Sequence, residues 1–223
     1  NDNVVNGVEY GTSTGHVRIY KNVDGTWAQM LNYNAYGGDI FGEFKYDNSG
    51  TSISLSDDGS IVAIGAPYND GGIGWDTYSN SNNKGHVRVY QFSESTTRSS
   101  PGAIAGNWSQ IGSDIEGERR DFSGSSISLS GDGSYLAING APRDDLTTYI
   151  KIYKNDSGTW TQIGETIEGS WSEQSVSLSD DGSIVAIGAY GDDSNGTDSG
   201  IAKIFQGDIT PPTVSSVTSS TAD

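Results

Sequence analysis

The sequence predicts an all-β fold built from a repeated four-stranded unit, and three observations predict it. The stretch Ser-Ile-Ser-Leu-Ser-Asp-Asp-Gly-Ser-Ile-Val-Ala-Ile-Gly-Ala-Pro at 52–67 returns, little changed, at 126–142 and 175–190. Self-similarity of this kind marks one supersecondary unit stacked on copies of itself, because a single unit cannot bury its own apolar face. Short segments between the copies alternate apolar and polar residues, the period of a half-buried strand. Nothing in the chain sustains a helical period.

Four strands recur in fixed order. The first is led by Gly: Gly-His-Val-Arg-Ile-Tyr at 15–20, Gly-His-Val-Arg-Val-Tyr at 85–90, Tyr-Ile-Lys-Ile-Tyr at 149–153 and Gly-Ile-Ala-Lys-Ile-Phe at 200–205. Alternation points Val17, Ile19, Val87, Val89, Ile150 and Ile152 inward, with Arg18, Arg88 and Lys151 outward. The second strand carries Trp27, Trp108 or Trp160 and ends in Gln. Asp24-Gly25 and Ser157-Gly158 supply the turn that joins it to the first strand as a hairpin. An acidic connector follows, at 39–43, 114–118 and 166–169. The third strand, Ser-Ile-Ser-Leu-Ser, meets the fourth, Ile-Val-Ala-Ile-Gly, across a tight turn at 57–60, 131–134 or 180–183. The fourth strand is apolar almost throughout, as expected of one buried on both faces. Asn139 stands as an extra residue in the second copy, and a bulge is expected there.

Four antiparallel strands per unit are the signature of a β-propeller blade. Three units and the last strand at 201–205 are too few for a ring of about four to eight blades. The expected fold is therefore a partial β-propeller over 1–206. Asn1-Asp2 matches Asn69-Asp70, the pair that follows Gly-Ala-Pro, so the chain starts in mid-unit and the preceding blades are expected upstream or from another chain. Residues 207–223, rich in Pro, Ser and Thr, break the repeat and read as a linker with the first strand of a further β domain.

The charge balance limits the partners. Twelve Lys and Arg against 29 Asp and Glu give a net charge of −17. Such a surface repels nucleic acid and anionic membranes. No apolar run is long enough for a helical membrane span. Cysteine is absent, which excludes disulfides and thiol chemistry.

Phe-Ser-Gly at 122–124, and Gly-Ala-Pro at 65–67 and 140–142, resemble the FG-GAP repeats of integrin-alpha-like β-propellers. The His-Val-Arg-Val-Tyr strand and the Trp-Thr-Gln-Ile-Gly strand are similar to units of very large bacterial and algal surface proteins. The resemblance covers about residues 1 to 206 and implies an extracellular ring serving adhesion or ligand binding. It also implies calcium in an Asp-rich loop between the two motifs. The matching turns here have four residues, too short to supply the oxygen ligands of one such ion. The tail at 210–216 resembles the entry to a bacterial immunoglobulin-like or cadherin-like module.

Candidate chemistry lies in the loops. Asx pairs follow each fourth strand: Asn1-Asp2, Asn69-Asp70, Asp144-Asp145 and Asp192-Asp193. They serve either as Asx-turns that end the strand or, in the longest acidic loop, as a Ca2+ site formed by Asp192, Asp193, Asn195 and Asp198. Trp75 and Tyr78, with Asp70 at the loop's start, are the candidate ligand-binding residues, since an exposed aromatic stacks on a glycan or a partner protein. His16 and His86 share one repeat position that Tyr149 and Ile201 fill elsewhere, which indicates packing rather than catalysis. Trp27, Trp108 and Trp160 are expected between blades. No Ser has a base placed beside it by the sequence.

The expected function is a non-enzymatic structural or adhesive module of a large cell-surface protein. Its partners are another protein, a glycan, or further copies of the chain assembling through exposed blade edges. A lectin-like or calcium-dependent ligand-binding propeller, and an accessory domain of a surface hydrolase, are the alternatives.

Overall fold

The computed structural model describes residues 3–5, 8–10, 13–32, 38–70, 83–96, 102–141, 148–169, 174–197, 199–207 and 214–218. Every regular element among them is a strand or a short turn. Strands β1 (Asn3–Val5) and β2 (Val8–Tyr10) form an antiparallel pair of their own. Strands β3 (His16–Val17), β4 (Tyr20–Val23), β5 (Thr26–Met30) and β6 (Ile40–Phe41) carry the first Gly-led strand, the first Trp strand and the first connector. β4 pairs with β5, and β3 with β6, both antiparallel.

Three complete sheets follow. β7 (Ser52–Leu55), β8 (Ile61–Ala66), β9 (His86–Glu94), β10 (Ala103–Ile104), β11 (Gly106–Gln110) and β12 (Ile115–Glu116) supply the first of these. Its order is β11-β9-β8-β7, with β12 continuing along β9, while β10 runs parallel to β5 of the sheet before it. β13 (Ile127–Leu129), β14 (Tyr135–Gly140), β15 (Thr148–Asp156) and β16 (Thr159–Gly169) form the next in sequential order. β17 (Gln174–Leu178), β18 (Ile184–Ala189), β19 (Ile201–Gly207) and β20 (Val214–Thr218) form the last.

Successive four-stranded antiparallel meanders stacked through apolar faces make this a partial β-propeller. Each blade begins with the Ser-Ile-Ser-Leu strand. The unit led by Gly, as counted along the sequence, is therefore shared between two blades. What precedes β7 is the outer half of a first blade, followed by three more. β20 lies outside the repeat, in the segment expected as a linker and the first strand of a further β domain. It pairs antiparallel with β19, so the fourth sheet extends past residue 206, the expected limit of the propeller.

Three apolar clusters hold the blades together. Val17, Ile19, Met30 and Ile40 of the first meet Val62, Ile64 and Trp108 of the second. Ala63, Val87 and Val89 of the second meet Ile127, Leu129, Leu136 and Ile138 of the third. Ala137 and Ile150 of the third meet Val176, Val185, Ile187 and Ala189 of the fourth. Alternation in one strand thus serves two junctions, since Val62 and Ile64 face one neighbour and Ala63 the other. Each fully buried Leu, Ile or Val removed from water contributes about 2 kcal/mol.

Serines clip the blades along the same seam. Leu129 N–H donates to Ser54 Oγ at 2.9 Å, and the equivalent Leu178 N–H donates to Ser128 Oγ at 2.9 Å. Asp57 N–H donates to the Gly131 carbonyl and Gly131 N–H to the Asp180 carbonyl, both at 2.8 Å. The Asp-Gly turns close themselves: Ser56, Ser130 and Ser179 Oγ donate to Asp58, Asp132 and Asp181 respectively.

Four expectations are corrected. No bulge occurs at Asn139, because β14 keeps an unbroken register with β13 and β15. Asn139 pairs with Ile150 as Gly65 pairs with Val87, so the extra residue is absorbed after the strand. The register shift falls instead between Ile150 and Ile152, where β15 meets β16. Arg88 does not point into solvent; its side chain is only 14% exposed and lies against Glu43 and Asp114. The third Ile-Val-Ala-Ile-Gly-Ala strand, β18, is fully covered on one face only.

The fourth correction is Trp27. Trp108 is 4% exposed and donates through Nε1 to the Met30 carbonyl of the preceding blade, and Trp160 donates likewise to the Ile111 carbonyl. Trp27, with no blade described before it, is 66% exposed. Trp27→Ala is therefore expected to shift stability by less than about 0.5 kcal/mol in urea unfolding.

Candidate functional site

Among the described residues, a cluster of charged side chains sits where the first blade's connector meets the second blade. β9 carries His86 and Arg88 on the face turned toward the first blade, since the two lie two residues apart in a strand and Arg88 reaches Glu43 there. Gly85 adopts φ +69°, and a Cβ there would meet the Ser123 carbonyl at 2.2 Å, so only Gly fits. The Arg88 guanidinium donates to both Asp114 oxygens, at 2.9 and 2.7 Å, and to Glu43 at 2.7 Å. Gln110 Nε2 donates to the same Asp114 at 2.7 Å. His86 Nδ1 lies 3.8 Å from Asp114, in a buried position.

The electrostatics follow from these contacts. Burial alone would lower the Arg88 pKa, but the bonds to Asp114 and Glu43 outweigh it and raise the value above the ordinary one. Burial would raise Asp114, yet Arg88 and Gln110 hold its carboxyl below the usual range. Burial and the Arg88 charge push His86 below 6.5, so its imidazole is neutral at pH 7. Protonation of a group with a depressed folded value favours the unfolded chain. Stability is thus expected to fall as pH drops from about 6.5 through the lower folded value of His86, and His86→Gln should flatten that part of a melting-temperature profile. Loss of the ionised Asp114 belongs to a separate, lower window, below its ordinary 3.8.

Among the described residues, Glu43, His86 and Asp114 are the group whose ligand atoms converge closely enough for a metal ion, all within 4.8 Å. Arg88 already supplies the positive charge there, with a fixed fork that satisfies both carboxylates. The cluster does mechanical work, tying connector to strand and blade to blade. The first blade repeats it: Arg18 binds both oxygens of the buried Asp39, at 2.7 and 2.9 Å, with Gln29 alongside. In the third blade, Gln162 Nε2 donates to Thr166 Oγ1 at 3.2 Å, where Lys151 replaces the Arg and Thr166 the Asp. Sequence reading missed this clip. Its signal was present, as Arg, Gln and Asp recur together at 18, 29 and 39 and at 88, 110 and 114.

The sequence-chosen residues fare differently. Asp70 is half-buried and accepts the Asn83 N–H at 2.8 Å; burial raises its pKa above the ordinary range, opposed by that bond. Asn69 is buried, donates to Asp47 at 2.9 Å, and its carbonyl accepts from Gly85 N–H. This pair therefore ties the end of the strand before residue 71 to the start of the chain after residue 82. Trp75 and Tyr78 lie outside the described residues. In the acidic loop, the Asp192 carboxylate accepts from the N–H and hydroxyl of Ser194, which hold it below the usual range. Gly196 N–H donates to the Asp193 carbonyl, and Asn195 is exposed. Asp198, the fourth residue of the expected calcium site, lies outside the described residues. Asp192 has the geometry of a turn-forming Asx residue.

No protein-family model matches the chain, and no curated protein matches it. Solved structures do. A candidate 6-phosphogluconolactonase from Bacteroides fragilis superposes with a TM-score of 0.47 at 13% identity, over 85% of this chain and 46% of that one. Periplasmic gluconolactonase PpgL of Pseudomonas aeruginosa gives 0.47 at 15% identity, over 88% and 47%. TolB of Acinetobacter baumannii gives 0.42 at 12% identity, over 94% and 42%. These are seven-bladed β-propellers, and this chain spans less than half the length of each. The similarity concerns fold alone. No helix among the described residues is long and apolar enough to cross a membrane.

Proposed function

We propose that the chain is a non-enzymatic structural module of an extracellular propeller of the FG-GAP type, working by assembly through its blade faces. One observation carries this reading. The hexapeptide Ile-Val-Ala-Ile-Gly-Ala occurs as β8 and again as β18. In β8 it is buried on both sides; in β18 one side is only partly covered, with Ile184 exposed and Ala186 and Gly188 half-buried. The adjacent Ile204 of β19 is 54% exposed, whereas the equivalent Val89 is 2% exposed. A face that two interior blades cover with apolar neighbours is an interaction surface when left bare.

The FG-GAP assignment is supported by the turns at 48–50 and 122–124. Asn48 and Phe122 share a left-handed φ of 52° and 51°, and each is followed two residues on by Gly50 or Gly124 at 90° or 88°. A bulky Phe in that region is costly, and it is held there by the repeat's own geometry. The non-enzymatic reading is supported by what occupies the polar groups. Both His residues face an Asp that an Arg already binds, and the repeated turn serines bond Asp carboxylates within their own turns.

Sedimentation tests the reading. The chain is expected to associate with itself as its concentration rises through the micromolar range, and Ile204→Glu should return it to monomers with an unchanged circular dichroism spectrum. A chain that stays monomeric throughout, or that associates equally well with Glu at 204, would refute the assignment.

A further inference from the structure

A different surface, at the opposite end of the array, points to a specific occupant. Among the described residues, the first blade shows its outer half only. Val17 pairs with Ile40 and Tyr20 with Gln29, as Val87 pairs with Ile115 and Tyr90 with Gln110. On its other edge, β9 takes β8 along the whole run from Ile61↔Gln91 to Ala66↔His86. The corresponding edge at 16–21 has no strand beside it among the described residues. The face behind it is open as well. Ile53 and Leu55 of β7 are 50% and 45% exposed, while the equivalent Ile127 and Leu129 are 7% and 6% exposed beneath the second blade.

The chain shows twice what fills this space. At the second-to-third junction, β7 and β8 lie over β13, Ala63 touches its apolar cluster, and Ser54 Oγ accepts Leu129 N–H. At the third-to-fourth junction, Ser128 Oγ accepts Leu178 N–H and Ala137 joins the cluster. The matching groups on the second blade, Leu55 N–H and the Asp57 carbonyl, have no such partner among the described residues. Backbone edge, apolar face and hydrogen-bonding groups at the empty position all have the form of these internal junctions.

We infer that the cleft between the 16–21 edge and the Ile53–Leu55 face is an acceptor for a β-hairpin. The occupant is a hairpin carrying this repeat's own first two strands, Ser-x-Ser-Leu-Ser, Asp-Gly, Ile-Val-Ala-Ile-Gly-Ala. Its second strand pairs antiparallel with 16–21, as β8 does with β9. Its central Ala seats against Leu55, and its Gly passes Gly50 as Gly65 passes the Gly124 carbonyl, where a Cβ would stand only 2.2 Å away. Main-chain pairing supplies affinity and the small side chains supply selectivity, the logic of strand addition.

The test adds a synthetic peptide of residues 52–67 to the 223-residue chain and follows amide hydrogen exchange. Exchange at His16, Arg18, Tyr20 and Leu55 is expected to slow at least about tenfold, with saturable 1:1 binding. A peptide carrying Ala63→Arg should not bind, nor should the wild-type peptide bind a Leu55→Arg chain. Ile204→Glu, at the far face, should leave binding intact, which separates this inference from the self-association above. A chain with residues 52–68 fused directly before Asn1, so that Tyr68 precedes Asn1 as it precedes Asn69, should show the same protection and a raised melting temperature. Three outcomes would overturn the proposal: unchanged exchange in both formats, equal binding of the Ala63→Arg peptide, or protection already complete in a dimer of the chain alone.

Discussion

Gly65→Ala is expected to destabilise the chain by about 3 kcal/mol, while Gly188→Ala in the same hexapeptide stays within about 0.5 kcal/mol of the parent. A Cβ at Gly65 would stand 2.2 Å from the Gly124 carbonyl and 2.3 Å from Ser52 Oγ. The carbonyl is backbone of the next blade and also accepts a 2.6 Å bond from Ser52 Oγ, so it cannot retreat without opening the junction. At Gly188 the added atom meets only Ser175 Oγ, at 2.9 Å, and a hydroxyl rotates aside. Urea unfolding of the two variants, with exchange of β8 and β18 amides as the local readout, checks the contrast. Equal losses would mean that the strand's own propensity, and not the neighbouring blade, sets the cost.

The second large effect is electrostatic. Arg88→Met is expected to cost about 3 kcal/mol, because it leaves Asp114 and Glu43 facing each other with no cation between them. Arg18→Met should cost about 2 kcal/mol: Arg18 is half exposed, but its partner Asp39 is buried, with 5% of its side chain exposed, and would lose its cation. Salt separates them further: the Arg18 effect should shrink in high salt, and the better-buried Arg88 effect should largely persist. Adding Asp114→Asn to the Arg88→Met chain should recover part of the loss, since one stranded charge is removed. Absence of any recovery would show that Arg88 acts by packing its aliphatic stem.

Much of this architecture was legible along the chain. Apolar alternation at 86–90 and 149–153, the Asp-Gly turns and the Ser-Ile-Ser-Leu repeats all encode local pairings, which span few residues and appear as predicted. The clip around Arg88 was harder to read. Its members lie up to 26 residues apart within a blade, and Glu43 comes from the blade before. Arg in an alternating strand reads as solvent-facing unless a connector is known to fold over it. Trp27 failed for the opposite reason: repetition promised it the same partner as Trp108, and no strand carbonyl among the described residues stands where the indole would need it.

By itself, the sequence determined the strands, the tight turns between them and the order in which they repeat. Those choices rest on steric and hydrogen-bonding preferences of neighbouring residues. Only the tertiary structure decided which blade faces are dry, where the repeat divides into blades, and that Val214–Thr218 joins the last sheet. Burial is a property of two surfaces, not of one. One hexapeptide is therefore core in β8 and half-exposed in β18 without a single residue changed.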